Sequence, residues 1–225
     1  MSNYDGLSVS RYVIASMCGC WKRESNVNPG IWESLIVCDW DYEYEYTNRG
    51  GFGLGQWTNI GTKYGRLYNL HTYVTSAGYE DGDGYGQLDF VVAENYWTPK
   101  SAVHLGYQTL TQFLTSESTS LDDLVWDFLA CWEGVTGDHY NERLEYANIF
   151  LNYINEHEND ETEWTWISTN NYLSDTQMCN NVMVIYKYIT GSSPPPPPPP
   201  PPPTEMPLWL WLLFKRKRRP KIVNY

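Results

Sequence analysis

The chain has 225 residues, a formal net charge of −12 at pH 7 and 16% aromatic residues, with 11 Trp and 19 Tyr. This length suits one well-packed domain with appendages. The acidic balance argues against a nucleic-acid partner, because phosphate backbones attract basic surfaces.

A carboxylate stands at the end of the first predicted helix. The helix is predicted over residues 10–23 from the helical spacing of Val9, Val13, Met17 and Trp21. Asn28-Pro29-Gly30 ends it, so Glu24 falls near the negative end of the helix dipole. That position, with partial burial, disfavours an ionised carboxylate, as a general acid requires, whereas Lys22 and Arg23 act in the opposite direction.

Residues 39–46 alternate strictly between acidic and aromatic side chains. Period-two alternation predicts a strand with an acidic face (Asp39, Asp41, Glu43, Glu45) and an aromatic face (Trp40, Tyr42, Tyr44, Tyr46). Residues 48–51 would turn this strand back as an early β-hairpin. The acidic face either supplies a catalytic carboxylate or keeps an edge strand solvated.

A glycine-laced segment, residues 50–58, follows this predicted strand. Glycine lets the backbone approach a ligand closely, so the segment is a candidate wall of a glycan cleft. The predicted substrate-binding residues of this segment are Gly53, Leu54, Gly55, Gln56, Trp57 and Thr58. Two alternatives stay open: the glycines serve a loop with positive backbone angles, and Trp57 belongs to the core.

Helical periodicity predicts further helices along the rest of the chain, with Ser120 and Asp123 as a capping box for one of them. Their approximate ranges are 64–74, 88–95, 100–114, 121–132, 144–154 and 172–189. The predicted organisation is a catalytic domain over 1–156, an acidic connector with one additional helix over 157–193, a spacer over 194–203 and a tail over 204–225. The five cysteines have no staple-like spacing and are predicted to be mostly buried thiols.

The last thirty residues differ in composition from the rest. Ten consecutive prolines, 194–203, predict a stiff polyproline II spacer of about 30 Å. Leu208–Phe214 is too short to span a bilayer, but its tryptophans precede a basic cluster. Leu208–Arg219 therefore suits the surface of an anionic membrane. A docking tail for another protein or for nucleic acid is the alternative.

Two motifs in this order resemble the phage tail lysozyme family: Glu24-Ser25-x-x-Asn28-Pro29-Gly30, then Gly53-Leu54-x-Gln56-Trp57. The second is also similar to goose-type lysozymes and lytic transglycosylases. The resemblance extends over about residues 8–156, including Gln87–Phe90 and Trp132–Glu133. It implies an α+β, mostly helical lysozyme-like domain with a small early β-hairpin, acting on peptidoglycan glycan strands with Glu24 as general acid. It also implies that Ser25 supports the site as a further substrate-binding residue.

The resemblance leaves the mechanism open. Thr58 stands where goose-type lysozymes carry an aspartate, so Asp41 or Glu43, with Glu33 as a further candidate, would be the second carboxylate. A lytic transglycosylase would need only one acid/base. A non-catalytic wall-binding or structural tail protein is the alternative from another class.

No cofactor is implied, and the four histidines lack metal-peptidase spacing. The N-terminal residues lack a secretory signal pattern. The resemblance therefore implies a place in the virion tail, with other tail proteins as partners, or in the host cytoplasm before release to the wall.

Overall fold

The chain folds as a succession of helices, and polar side chains set where many of them begin. The computed structural model describes residues 4, 6–45 and 50–191. Ser10, Asp83, Thr109, Ser120 and Ser174 each accept a hydrogen bond from the first turn of the helix that follows. The helices are α1 (Arg11–Ser25), α2 (Arg66–Ser76), α3 (Gly84–Glu94), α4 (Leu110–Leu114), α5 (Leu121–Phe128), α6 (Tyr140–His157) and α7 (Asp175–Ile189). A 3-10 turn occupies Glu33–Leu35, and a π-helical turn, Leu129–Glu133, continues α5.

The predicted helices are confirmed with shifted ends, except for one. Only Leu110–Leu114 of the predicted helix 100–114 is helical, because Thr109 caps a new helix there. The preceding turn is held by the buried Asp127 carboxylate, which accepts hydrogen bonds from the backbone of His104 (2.7 Å) and Leu105 (2.9 Å). The Asp127 carboxylate, rather than a helical carbonyl, is therefore the hydrogen-bond partner of these backbone N–H groups.

The predicted early strand is not found over residues 39–45, where Tyr44 makes only an isolated bridge with Ile60. A side chain takes the place of a neighbouring strand, since the Asn59 amide donates to the carbonyls of Trp40 (2.8 Å) and Tyr42 (3.0 Å). The alternation still sorts the side chains, with the acids exposed and the aromatics partly buried. Tyr46 and the first part of the predicted turn lie outside the described residues.

Helix α1 lies at the centre of the hydrophobic core and packs most extensively on α6. Small residues allow this close approach: a Cβ at Gly19 would lie 2.5 Å from the Arg143 carbonyl and 2.8 Å from the Ala147 Cβ. The predicted burial of most cysteines is confirmed for Cys18, Cys20, Cys131 and Cys179. The fold therefore fixes the distance between two helices that also carry Glu24 and Arg143.

Helix α7 packs against α1 and α6, and its apolar side chains join the same core cluster. The segment that leads into it, residues 164–174 (the strap), runs back along the loop that follows α1. The division of the chain at residue 156 stays a prediction, and the proline spacer and the tail lie outside the described residues. None of the helices that the structure describes is long and apolar enough to cross a membrane.

We predict that Gly19→Ala destabilises the protein. The nearest atom to the added methyl group is a backbone oxygen of α6, which cannot move aside by a side-chain rotation. Overpacking costs typically 1–3 kcal/mol, and the gain in helix propensity offsets only about 1 kcal/mol of that. Urea unfolding measures the change.

Gly86→Ala in α3 is the matched control, because the three atoms nearest to its added methyl group all belong to the Tyr79 side chain, at 3.0 Å, and none is backbone. The Gly19 variant should lose more stability than the Gly86 variant. Equal losses would contradict the proposed tight contact between α1 and α6.

Candidate active site

Glu24 lies on the last turn of α1, at the rim of a groove. Helix α1 ends because Asn26 adopts a left-handed conformation and its N–H donates to the Lys22 carbonyl at 3.0 Å. The Glu24 side chain is 26% exposed, so it is open to the groove without being free in solvent. This position suits a carboxyl group that must meet a ligand.

Arg143 of α6 holds the Glu24 carboxylate. Its Nη2 donates to Glu24 Oε1 at 2.6 Å, and its side chain is only 1% exposed. The guanidinium also donates to the carbonyls of Cys20 (2.9 Å) and Asp138 (3.1 Å), and Nη2 lies 3.3 Å from Asp138 Oδ2. Because these contacts fix the guanidinium plane, Oε1 of Glu24 is fixed as well.

The groove beside Glu24 has a volume of about 430 Å³, within the usual range for ligand sites. Its charged residues are Arg23, Glu24 and Glu33. Its uncharged polar residues are Ser34, Gln56 and Thr58, and its apolar and aromatic residues are Ile31, Trp32 and Tyr172. A mixed polar and aromatic lining is suited to a sugar, which presents hydroxyl groups at its edge and C–H groups on its faces.

The structure divides the predicted substrate-binding residues into two sets. Gln56 and Thr58 line the groove. Ser25, Leu54 and Trp57 are buried, Trp57 to 1% exposure. The Ser25 hydroxyl donates to the Leu54 carbonyl at 2.9 Å and so ties the glycine segment to α1 beside Glu24.

The glycines of this segment serve close packing inside the protein. A Cβ at Gly53 would lie 2.5 Å from Gln87 Oε1, and one at Gly55 would lie 2.2 Å from the Trp132 ring. Gly53 also has a φ of +74°, which side chains disfavour. The segment is therefore pressed against the core, and its glycines shape the groove from behind.

Backbone strain is concentrated around the groove. Seven non-glycine residues in the described part of the chain have positive φ, and two of them, Ser34 and Gln56, line the groove. Three more, Asn26, Val27 and Leu35, are in the segments that adjoin it. Such conformations persist where the surrounding structure enforces them, often at functional sites.

The candidate second carboxylates occupy different places. Asp41 and Glu43 are exposed, and neither belongs to the lining of the groove. Glu33 does line it, and its Oε2 accepts a hydrogen bond from the Gly51 N–H at 3.3 Å. Of these three acids, only Glu33 shares the groove with Glu24.

Glu133, at the end of the π-helical turn, is a half-buried acid near Glu24. Its Oε1 is buried and has no hydrogen-bond partner within the described residues. Burial raises the pKa of Glu133 well above its ordinary value, and the negative charge of Glu24 raises it further. Glu133 therefore holds its proton to higher pH than an ordinary carboxyl group. The sequence gives no signal of this raised pKa, although Trp132–Glu133 is part of the family resemblance.

One cluster of the described residues has the composition of a cation site: His104, Asp122 and Asp123. Its side chains already have protein partners. His104 Nδ1 lies 2.8 Å from Asp123, and Asp122 accepts a hydrogen bond from the Tyr140 hydroxyl at 2.7 Å. These contacts account for the cluster as a polar network on the surface.

A mostly helical domain with a helix-end glutamate at the rim of a groove is a lysozyme-like arrangement. A comparison with protein families matches residues 6–154, about two thirds of the chain, to the phage tail lysozyme family. The chain belongs to that family, as its motifs predicted. No curated protein matches the chain. The family assigns it a lysozyme-like, peptidoglycan-degrading function in a phage.

Glu133→Gln should change how stability depends on pH. A carboxyl group whose pKa is raised on folding binds its proton more tightly in the folded state, so it costs stability as pH rises above its unfolded pKa of about 4.3. The amide does not titrate. The variant should gain stability relative to the wild type from about pH 4.5 upward, by at most about 1.4 kcal/mol per pH unit.

Thermal unfolding of both proteins between about pH 4 and 8 measures this difference. Glu145→Gln, which removes an exposed carboxylate of α6, is the control for loss of a charge. A difference between the Glu133 variant and the wild type that stays constant with pH would contradict the assignment.

Proposed function

We propose that the protein cleaves the glycan strand of peptidoglycan with Glu24 as general acid. The observation that carries the proposal is the Glu24 carboxyl at the rim of the groove, held by Arg143 at 2.6 Å. Arg143 binds Oε1, and in this proposal Oε2 carries the proton and would face the bound saccharide. A proton delivered from Oε2 to the glycosidic oxygen would assist departure of the leaving group as an oxocarbenium-like transition state develops.

Gln56 and Thr58 line the groove. The Thr58 hydroxyl would bind hydroxyl or N-acetyl groups of the sugar, and Gln56, whose Oε1 is buried, would contribute the surface of its side chain. Gln56 is held by its own amide, which donates to the carbonyls of Gly53 (3.1 Å) and Ile31 (3.3 Å). Ser25, Leu54, Trp57 and the glycines support this wall without reaching the groove. A preformed wall lowers the entropic cost of binding the substrate.

The step after proton donation depends on a second group. In a hydrolase, a second carboxylate activates water or attacks the sugar, and Glu33 is the acid that we place in this role ahead of Asp41 and Glu43. In a lytic transglycosylase, Glu24 alone serves as acid and base while the sugar itself attacks. We favour the hydrolase because Glu33 lines the same groove as Glu24.

The biological setting is also part of the proposal. The name of the family supports a place in the phage tail, where the enzyme would open the wall during entry, and other tail proteins would be its partners. Production in the host cytoplasm with release to the wall is the alternative. Leu208–Arg219 would contact a membrane surface in either setting.

Glu24→Gln is expected to abolish clearing of purified cell walls. The amide keeps the shape and can accept the hydrogen bond from Arg143, but it has no acidic proton to transfer to the glycosidic oxygen. Loss of a general acid lowers rates by about 10²–10⁴. A turbidity assay on isolated peptidoglycan measures the rate.

Glu145→Gln is the control, because it removes an exposed carboxylate of α6 that does not line the groove. Equal clearing by the wild type and the Glu24 variant would remove Glu24 from the mechanism. Wall binding by the wild type without clearing would support the non-catalytic alternative.

The ends of the released muropeptides are expected to be reducing ends, and Glu33→Gln is expected to slow their release. Mass spectrometry separates a reducing end from a 1,6-anhydro end, which marks a transglycosylase. Asp41→Asn and Glu43→Gln, at exposed positions outside the groove, are matched controls and should leave the rate close to that of the wild type. Anhydro products together with an unaffected Glu33 variant would establish the single-acid mechanism instead.

A further inference from the structure

Tyr172 is an exposed aromatic residue at the groove, and it lies outside the part of the chain that matches the family. The match ends at residue 154, whereas Tyr172 belongs to the strap that precedes α7. Its side chain is 65% exposed although it lines the groove with Glu24. Trp32, also in the groove, is 5% exposed and mostly buried.

The backbone on both sides of Tyr172 is fixed to the loop that follows Glu24. Asn28, which is fully buried, donates to the carbonyls of Thr169 (2.7 Å) and Asn171 (2.8 Å). Asn26 donates to the Leu173 carbonyl at 3.3 Å. These bonds hold Tyr172 in position from both directions, so little conformational freedom remains to be lost when a ligand binds.

The strap is also tied to the far side of the groove. Asn170 accepts a hydrogen bond from the Trp32 N–H at 2.9 Å, and its amide donates to the Leu35 carbonyl at 3.2 Å. Within the described residues, the Tyr172 ring takes part in no aromatic pair and its hydroxyl has no hydrogen bond, whereas four residues around it, 169–171 and 173, are anchored. A fixed backbone that presents a free ring to a groove is the arrangement of a binding platform.

We propose that Tyr172 is a sugar-ring platform of the groove, supplied by the strap as an addition to the family domain. The ligand class is a neutral hexopyranose unit of a β-linked glycan, whose C–H face packs on an aromatic ring while its hydroxyl groups reach the polar side chains opposite. The inference rests on the proposed function, because it concerns the same groove. Tyr172 is a binding residue here and takes no part in proton transfer.

Binding of chitotetraose, a neutral oligomer of β-1,4-linked N-acetylglucosamine, tests the platform separately from catalysis. Titration calorimetry uses the full-length Glu24→Gln protein, so that the probe is not cleaved. Adding Tyr172→Ala should weaken binding roughly tenfold, as expected for loss of one aromatic contact. Tyr172→Phe and Tyr172→Trp should keep most of the affinity, because the ring face carries the contact.

Tyr64→Ala is the matched control, since Tyr64 is 64% exposed and does not line the groove. It should bind the probe as the parent does, and thermal unfolding should show that the Tyr172 variants remain folded. Unchanged binding by Tyr172→Ala overturns the inference. So does a loss with Tyr172→Phe as large as that with Tyr172→Ala, or failure of the parent protein to bind the probe.

The clearing assay distinguishes this inference from the proposed function. With Glu24 intact, Tyr172→Ala should raise KM for the wall and leave kcat close to that of the wild type. Probe binding that depends on Tyr172 in a protein that clears no wall would uphold the platform and overturn the enzymatic proposal. Clearing of the wall with an unchanged KM in the Tyr172 variant would uphold the enzymatic proposal and overturn the platform.

Discussion

The close contact between α1 and α6 is the constraint on which the site depends. Gly19 has no side chain to separate the two helices, and the backbone of α6 at Arg143 and Ala147 occupies that space. One helical turn further along α1, this spacing allows the buried Arg143 guanidinium to reach Glu24. The same guanidinium bonds the Cys20 carbonyl, so one side chain both joins the helices and positions the carboxylate.

An ion pair between a buried guanidinium and a partly exposed carboxylate fixes geometry more than it adds stability. Desolvation of the arginine offsets much of the attraction. Arg143 therefore ties the position of Glu24 to the integrity of the fold. Burial raises the pKa of the nearby Glu133 carboxyl group, which disfavours a second negative charge beside Arg143. Burial of these ionisable groups fixes the site and also lowers the stability of the protein around it.

The sequence predicted those parts of the structure that depend on local pattern. Helical spacing located α1, and the Glu24-Ser25 motif located a carboxylate that does lie at a groove. Tertiary contacts overrode the pattern elsewhere. Alternation over residues 39–45 correctly separated exposed acids from partly buried aromatics, yet the Asn59 amide took the hydrogen bonds that a neighbouring strand would have made.

Local patterns could not predict which side chains that are distant in sequence would contact each other. Arg143 lies 119 residues from Glu24, and its role appears only when α6 packs on α1. Trp57 could be a sugar platform or a core residue on the sequence alone, because an aromatic residue after a glycine segment suits both. Its burial to 1% exposure removes it from the surface of the groove. Burial is decided by the whole fold, whereas residue type is all that a motif provides.

The Asn28-Pro29-Gly30 motif acquires a second role from this structure. From the sequence it is a helix stop, but the Asn28 side chain also joins the strap through two carbonyls. Gly30 has to be small there, because a Cβ would lie 2.5 Å from the Ser168 hydroxyl. The loop that follows Glu24 thus binds a segment beyond the family match. An insertion or a bulkier residue in this loop would displace Tyr172 without touching Glu24, so the platform that we propose would move while the carboxylate stays in place.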